Sequence, residues 1–130
     1  MAPETTAAER RQAMRSVIMT AAIAGLGGLL FGYDTGIIAS ALLFIEPEFG
    51  LSSFGSGLVV AAVPIGAVGG ALFAGRLSDT YGRRLMILIS AAIFIIGALG
   101  SAVADSEAVL VISRVIVGAA IGLASACAPV

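Results

Sequence analysis

Four long apolar stretches, about residues 17–45, 57–74, 85–104 and 108–130, alternate with short polar ones. A helix of about 20 residues crosses the hydrocarbon core of a bilayer, so each stretch is long enough or nearly so. None shows the period-two alternation of a half-buried strand, and three are too long for a buried one. None carries the charged face that a soluble helix needs. The pattern predicts an all-α membrane protein with four transmembrane helices. The first stretch exceeds the bilayer and must tilt, kink or overhang. Pro47 and Gly50 are expected to stop it, Ser53 or Ser56 to cap the second helix, and residues 105–107 to make a tight polar turn. Pro64 interrupts the second span, as membrane helices tolerate. Residues 1–16 read as a polar tail, helical near its end, and residues 75–84 as a short glycine-rich, charged loop.

Composition agrees. The chain is 59% hydrophobic and 12% charged, with a mean hydropathy of +1.10. Soluble domains are about 25% charged, and a chain this short has too much surface to hide its apolar residues in a core. A cleaved signal is not expected, because its apolar region runs about 7–15 residues.

Charge gives direction. All seven basic residues are arginines. Arg10, Arg11 and Arg15 precede the first span, and Arg76, Arg83 and Arg84 lie between the second and third. The other two connections hold only Glu46, Glu48, Asp105 and Glu107. The positive-inside bias therefore places the amino terminus and the 75–84 segment in the cytoplasm. A net charge of −1 gives no basic excess for nucleic acid. The single cysteine, Cys127, and the lack of histidine leave no metal cluster, cofactor set or histidine-based catalysis to expect, and no enzyme reading survives.

Small residues recur at four-residue spacing: Gly28, Gly32 and Gly36 in the first span, and Gly118, Gly122 and Ala126 in the fourth. That spacing lets backbones approach closely in lipid, so these glycines are expected at helix contacts. Gly25–Gly28 does not make a nucleotide loop, because the preceding strand and the phosphate-binding lysine are missing.

Two charges interrupt the spans, Asp34 and Arg114. Each costs about 2.5–3.5 kcal/mol at mid-helix on insertion scales, so each needs a partner or a function. Counting from the expected helix ends, they sit roughly 16 and 9 Å below the outer surface, close enough in depth for an ion pair. Apolar burial favours a protonated carboxyl group, and a guanidinium beside it favours the ionised one. Movement of Arg114 relative to Asp34 would thus load or release a proton, while a static bridge fits the spacing equally well. Tyr33, next to Asp34, reads as packing. In the 75–84 segment, Asp79 among Arg76, Arg83 and Arg84, with Gly75 and Gly82 at either side, predicts a folded loop with internal ion pairs.

Three stretches together resemble one family. Residues 75–84 (GRLSDTYGRR) resemble the loop between helices two and three of the major facilitator superfamily; residues 31–36 (FGYDTG) resemble the first helix of its sugar porter branch; residues 113–118 (SRVIVG), with Gly122 following, resemble that branch's fourth helix. The resemblance implies that the four spans correspond to the first four of a twelve-helix fold that transports a sugar with a proton. It implies that Asp34 and Arg114 are the proton-coupling pair, since passive members usually have asparagine at the Asp34 position. It implies that Gly75, Arg76, Asp79, Gly82, Arg83 and Arg84 brace the cytoplasmic gate. Thr80 departs from the pattern, where a basic residue is usual. The sugar-contacting residues of the family lie beyond this sequence, so the chain is expected to be an amino-terminal fragment, from a truncated gene or a partial chain. Its expected partners are the lipid bilayer, the missing remainder of the transporter and, in the full-length protein, a small sugar and a proton. The alternatives are a major facilitator transporter of another solute (a polyol, an organic acid or a drug) and a small four-helix membrane protein acting as an oligomer or partner.

Overall fold

The computed structural model describes residues 6–127; the ends of the expected tail and fourth span, residues 1–5 and 128–130, lie outside the described residues. Four helices account for nearly all of the rest: α1 (Ala7–Phe49), α2 (Ser53–Tyr81), α3 (Arg83–Ala102) and α4 (Glu107–Cys127). All four are long and apolar enough to cross a membrane, and the described residues contain no strand.

The helix ends follow local chemistry. At the start of α1 the Thr6 N–H donates to the Glu9 carboxylate at 2.8 Å, which satisfies one of the amides a helix leaves open at its start. The helix then runs unbroken through the expected tail, so residues 7–16 extend the first span. Pro47 does not stop α1 but lies inside it; Gly50 does, in the left-handed conformation at φ 62°. The cap of α2 is Ser52 rather than Ser53 or Ser56, its Oγ accepting from the Gly55 N–H at 3.2 Å. Glu107 begins α4 instead of closing the preceding turn, and Ser106 Oγ accepts from the Val109 N–H at 3.4 Å.

The expected 75–84 loop is mostly helix. Residues 75–81 are the last two turns of α2, and α3 starts at Arg83, so only Gly82 breaks the chain. Its backbone lies at φ 84° and ψ 146°, a region open essentially to glycine alone.

Helices α2 and α4 run parallel and in close contact, because glycine removes the side chains that would hold them apart. A Cβ on Gly66 or Gly70 would collide with the carbonyls of Val115 and Ala119, and one on Gly118 or Gly122 with those of Val63 and Ala67. The approach is thus reciprocal. Helix α3 lies antiparallel along α4, with Gly97 against Val117 and Gly100 against Ser113. Helix α1 stands to one side. Its upper half packs Ile38 and Leu42 on Val59 and Leu110, while Gly28, Gly32 and Gly36 face open space. A second cluster, Ala74, Met86, Leu123 and Cys127, closes the opposite end of the α2–α4 layer.

The outer surface of this bundle is apolar. Leu29, Leu72, Phe73 and Ile96 are each 63–74% exposed. Such a surface would aggregate in water and matches hydrocarbon, which locates the chain in a membrane.

Candidate functional site

Asp34 and Arg114, far apart in sequence, meet between α1 and α4. The Arg114 Nη1–H donates to Asp34 Oδ1 at 3.0 Å. Arg114 lies on the eighth residue of α4, about 10 Å below its start. Asp34 is farther from its own helix end, yet the two are level because α1 overhangs: Leu42 already packs beside Leu110, seven residues before α1 ends.

Arg114 is buried and Asp34 partly so. The Arg114 side chain is 8% exposed and that of Asp34 25%. Ser113 and Val117, on either side of Arg114, are buried. Among the described residues the pair makes one point of contact, and Asp34 Oδ2 and Arg114 Nε are buried without a hydrogen-bond partner. A bidentate pair would engage both carboxylate oxygens and be stronger. This pair makes one bond and leaves most of the hydrogen-bonding capacity of both groups without a partner among the described residues.

The remaining sequence-derived residues separate into three groups. Gly118 and Gly122 lie on the α4 face that meets α2. Gly28, Gly32 and Gly36 meet no neighbour among the described residues. Gly28 instead borders a cleft of about 420 Å³ between α1, α2 and α4, with Phe31, Ala71 and Ile121. Gly75, Arg76, Asp79, Gly82, Arg83 and Arg84 sit exposed at the α2–α3 junction. The internal ion pairs expected there are absent among the described residues; the helical backbone of residues 75–81 directs these side chains outward instead of folding them into a loop. Tyr33 is not packed but 66% exposed.

Sequence reasoning missed Gly66 and Gly70. Their signal was present: Ala62, Gly66, Gly70 and Ala74 repeat every four residues and are all buried.

No group of histidine, cysteine, aspartate and glutamate among the described residues is arranged to hold a metal ion. At the α1–α4 contact the chemistry available is ionic: one partly buried carboxylate, one permanently charged guanidinium, and spare hydrogen-bonding capacity on both.

Residues 20–130 match the model of a family described as sugar (and other) transporter. The chain is 54% identical over 104 residues to a D-xylose transporter of Levilactobacillus brevis, covering 80% of this chain and 23% of that protein. It is 42% identical over 116 residues to the arabinose-proton symporter of Bacillus subtilis, covering 89% of this chain and 25% of that protein. It is 43% identical over 118 residues to the major myo-inositol transporter of the same organism, covering 89% and 24%. The chain thus spans about a quarter of the length of these curated relatives. No solved structure matches it.

Proposed function

The chain belongs to the sugar (and other) transporter family, and from that premise we propose that it forms the first four helices of a sugar:proton symporter in which Asp34 carries the proton and Arg114 switches it. The observation that carries this reading is the buried, single-contact ion pair. In this reading the guanidinium and the proton compete for Asp34: when the helices shift and Arg114 turns to another acceptor, the carboxyl group carries the proton in its place. Solute-driven rocking of the two halves of a transporter about a midplane site supplies such a shift. The symporter named among the relatives supports proton coupling.

The sugar site itself is not built by these four helices in this reading. Pentoses are the first solutes to test, because relatives named for D-xylose and arabinose are among the matches. A polyol is the second reading, favoured by the inositol transporter at similar identity.

The proposed orientation puts the amino terminus and the α2–α3 junction in the cytoplasm, from the arginine distribution. The exposed Arg76, Asp79, Arg83 and Arg84 then face the cytoplasmic gate, and the glycines Gly75 and Gly82 shape the junction.

The test uses the intact transporter in proteoliposomes loaded with a pH-sensitive dye. Addition of D-xylose or L-arabinose should move protons with the sugar. Uptake of both sugars with no proton movement would reduce the function to facilitated diffusion; proton movement with myo-inositol alone would select the polyol reading.

A further inference from the structure

On α1, Asp34 is followed one turn later by Ile38; on α4, Arg114 is preceded one turn earlier by Leu110. Residues four apart on a helix share a face. The two helices run in opposite directions, so both steps lead the same way, toward the end where α1 stops and α4 begins. Ile38 and Leu110 therefore form the rung next to the Asp34–Arg114 bond, and both are buried, with Leu42 and Val59, in one apolar cluster. We propose that Ile38 and Leu110 are positioning residues of the ion pair: their packing sets the register of α1 on α4, and the register decides whether Arg114 meets Asp34.

The register has little other support nearby. On the far side of the bond, a Cβ on Gly28 or Gly32 would meet no neighbour, and Gly36, between Asp34 and Ile38, is equally open. The rung, by contrast, has a rigid backing. Val59, wholly buried in the same cluster, belongs to α2, and α2 is locked to α4 through Gly66 and Gly70. Ile38 thus docks α1 on two helices that cannot move apart independently.

The ion pair cannot set the register by itself. It is a single contact at 3.0 Å, and such a bond is lost beyond about 3.5 Å. A slide of α1 by one residue's rise is about 1.5 Å, which exceeds that margin. The Arg114 side chain, 8% exposed, has little room to follow. What the positioned pair then does rests on the proton-carrier reading above; where the pair sits does not.

The test takes the intact transporter, in detergent, through the Asp34→Asn and Arg114→Leu double-mutant cycle in three backgrounds: unaltered, Leu110→Ala and Leu123→Ala. Leu123 is the control. It is also a buried leucine of α4, 9% exposed against 4% for Leu110, but it belongs to the cluster at the opposite end. Both substitutions delete the same atoms from a packed site, so both lower stability. The coupling between Asp34 and Arg114, read as a fold-change in the unfolding equilibrium, should fall at least about three-fold with Leu110→Ala and stay unchanged with Leu123→Ala. Leu110→Met, which conserves volume, should restore it. Ile38→Val, a milder deletion made from the α1 side, should lower the coupling in the same direction and serves where Leu110→Ala does not fold. No coupling in the unaltered protein, a coupling that survives both Leu110→Ala and Ile38→Val, or an equal loss with Leu123→Ala would overturn the proposal. Sugar accumulation driven by a pH gradient, measured on the same variants in proteoliposomes, separates the two claims. Coupling and accumulation that fall together while counterflow persists support both. Coupling that falls while accumulation is unchanged supports the positioning role and refutes Asp34 as the proton carrier.

Discussion

The Arg114 guanidinium donates to the Asp34 carboxylate at 3.0 Å, and this bond ties α1 to the rest of the bundle at a level where α1 otherwise touches little. Below it, Gly28 and Gly32 face open space; above it, Ile38 and Leu42 pack on Val59 and Leu110. The ion pair therefore marks the boundary between the packed and the free half of α1. A helix held at one end and free at the other can pivot, and the pair sits at the pivot.

Removing one partner should cost more than removing both. Arg114→Leu leaves an unpaired buried carboxylate and should destabilise the protein by about 3 kcal/mol. Adding Asp34→Asn to it should recover part of that loss, giving a coupling energy of about 1–3 kcal/mol. Unfolding in detergent of the two single variants and the double variant measures it; additivity of the single effects would mean that the pair contributes nothing.

The glycines should divide into two classes. Gly118→Ala drives a methyl group into the Val63 carbonyl and should lower stability by about 1–3 kcal/mol by overpacking. Gly32→Ala meets open space and should leave the α2–α4 core unaffected. Thermal denaturation in detergent, followed by circular dichroism, distinguishes the two; equal effects would contradict the packing described.

The junction glycines should differ in sign. Gly82 occupies a backbone region that other residues avoid, so Gly82→Ala should cost about 1–3 kcal/mol. Gly75 is helical with free space around it, so Gly75→Ala should be neutral or stabilising by up to about 1 kcal/mol. Melting temperatures of the two variants check this.

These pairs also show how much was legible in the sequence. The four spans were, because lipid demands long uninterrupted apolar runs. So was the ion pair, because two charges too costly to stand alone sit at comparable depth. The glycine partners were not. Spacing says that a close approach is possible at Gly28, Gly32 and Gly36 as readily as at Gly118 and Gly122, and only the fold says that α2, through Gly66 and Gly70, is the neighbour. The helical state of residues 75–81 was hidden for a related reason: glycine and charge usually mark loops in water, but at a membrane surface arginine solvates a helix end without unwinding it. Pro47 misled because α1 runs on through it to Phe49, forgoing one hydrogen bond to the Leu43 carbonyl, and Gly50 supplies the true stop.

Topology makes a separate prediction. A cysteine introduced at Thr80, in a Cys127→Ser background, should react with a membrane-impermeant maleimide only in inverted vesicles. One introduced at Ser53, beyond the Ser52 cap at the opposite end of α2, should react only in right-side-out vesicles. The reverse pattern would invert the orientation proposed.

The central claim is that Asp34 carries the transported proton, and Asp34→Asn in the intact transporter tests it most directly. Asparagine keeps the shape and a hydrogen-bond acceptor for Arg114 but cannot ionise. In proteoliposomes with an imposed pH gradient, the variant should accumulate no sugar against its concentration, while counterflow exchange of sugar without a gradient persists. Gradient-driven accumulation by the variant at the level of the unaltered protein would contradict the claim.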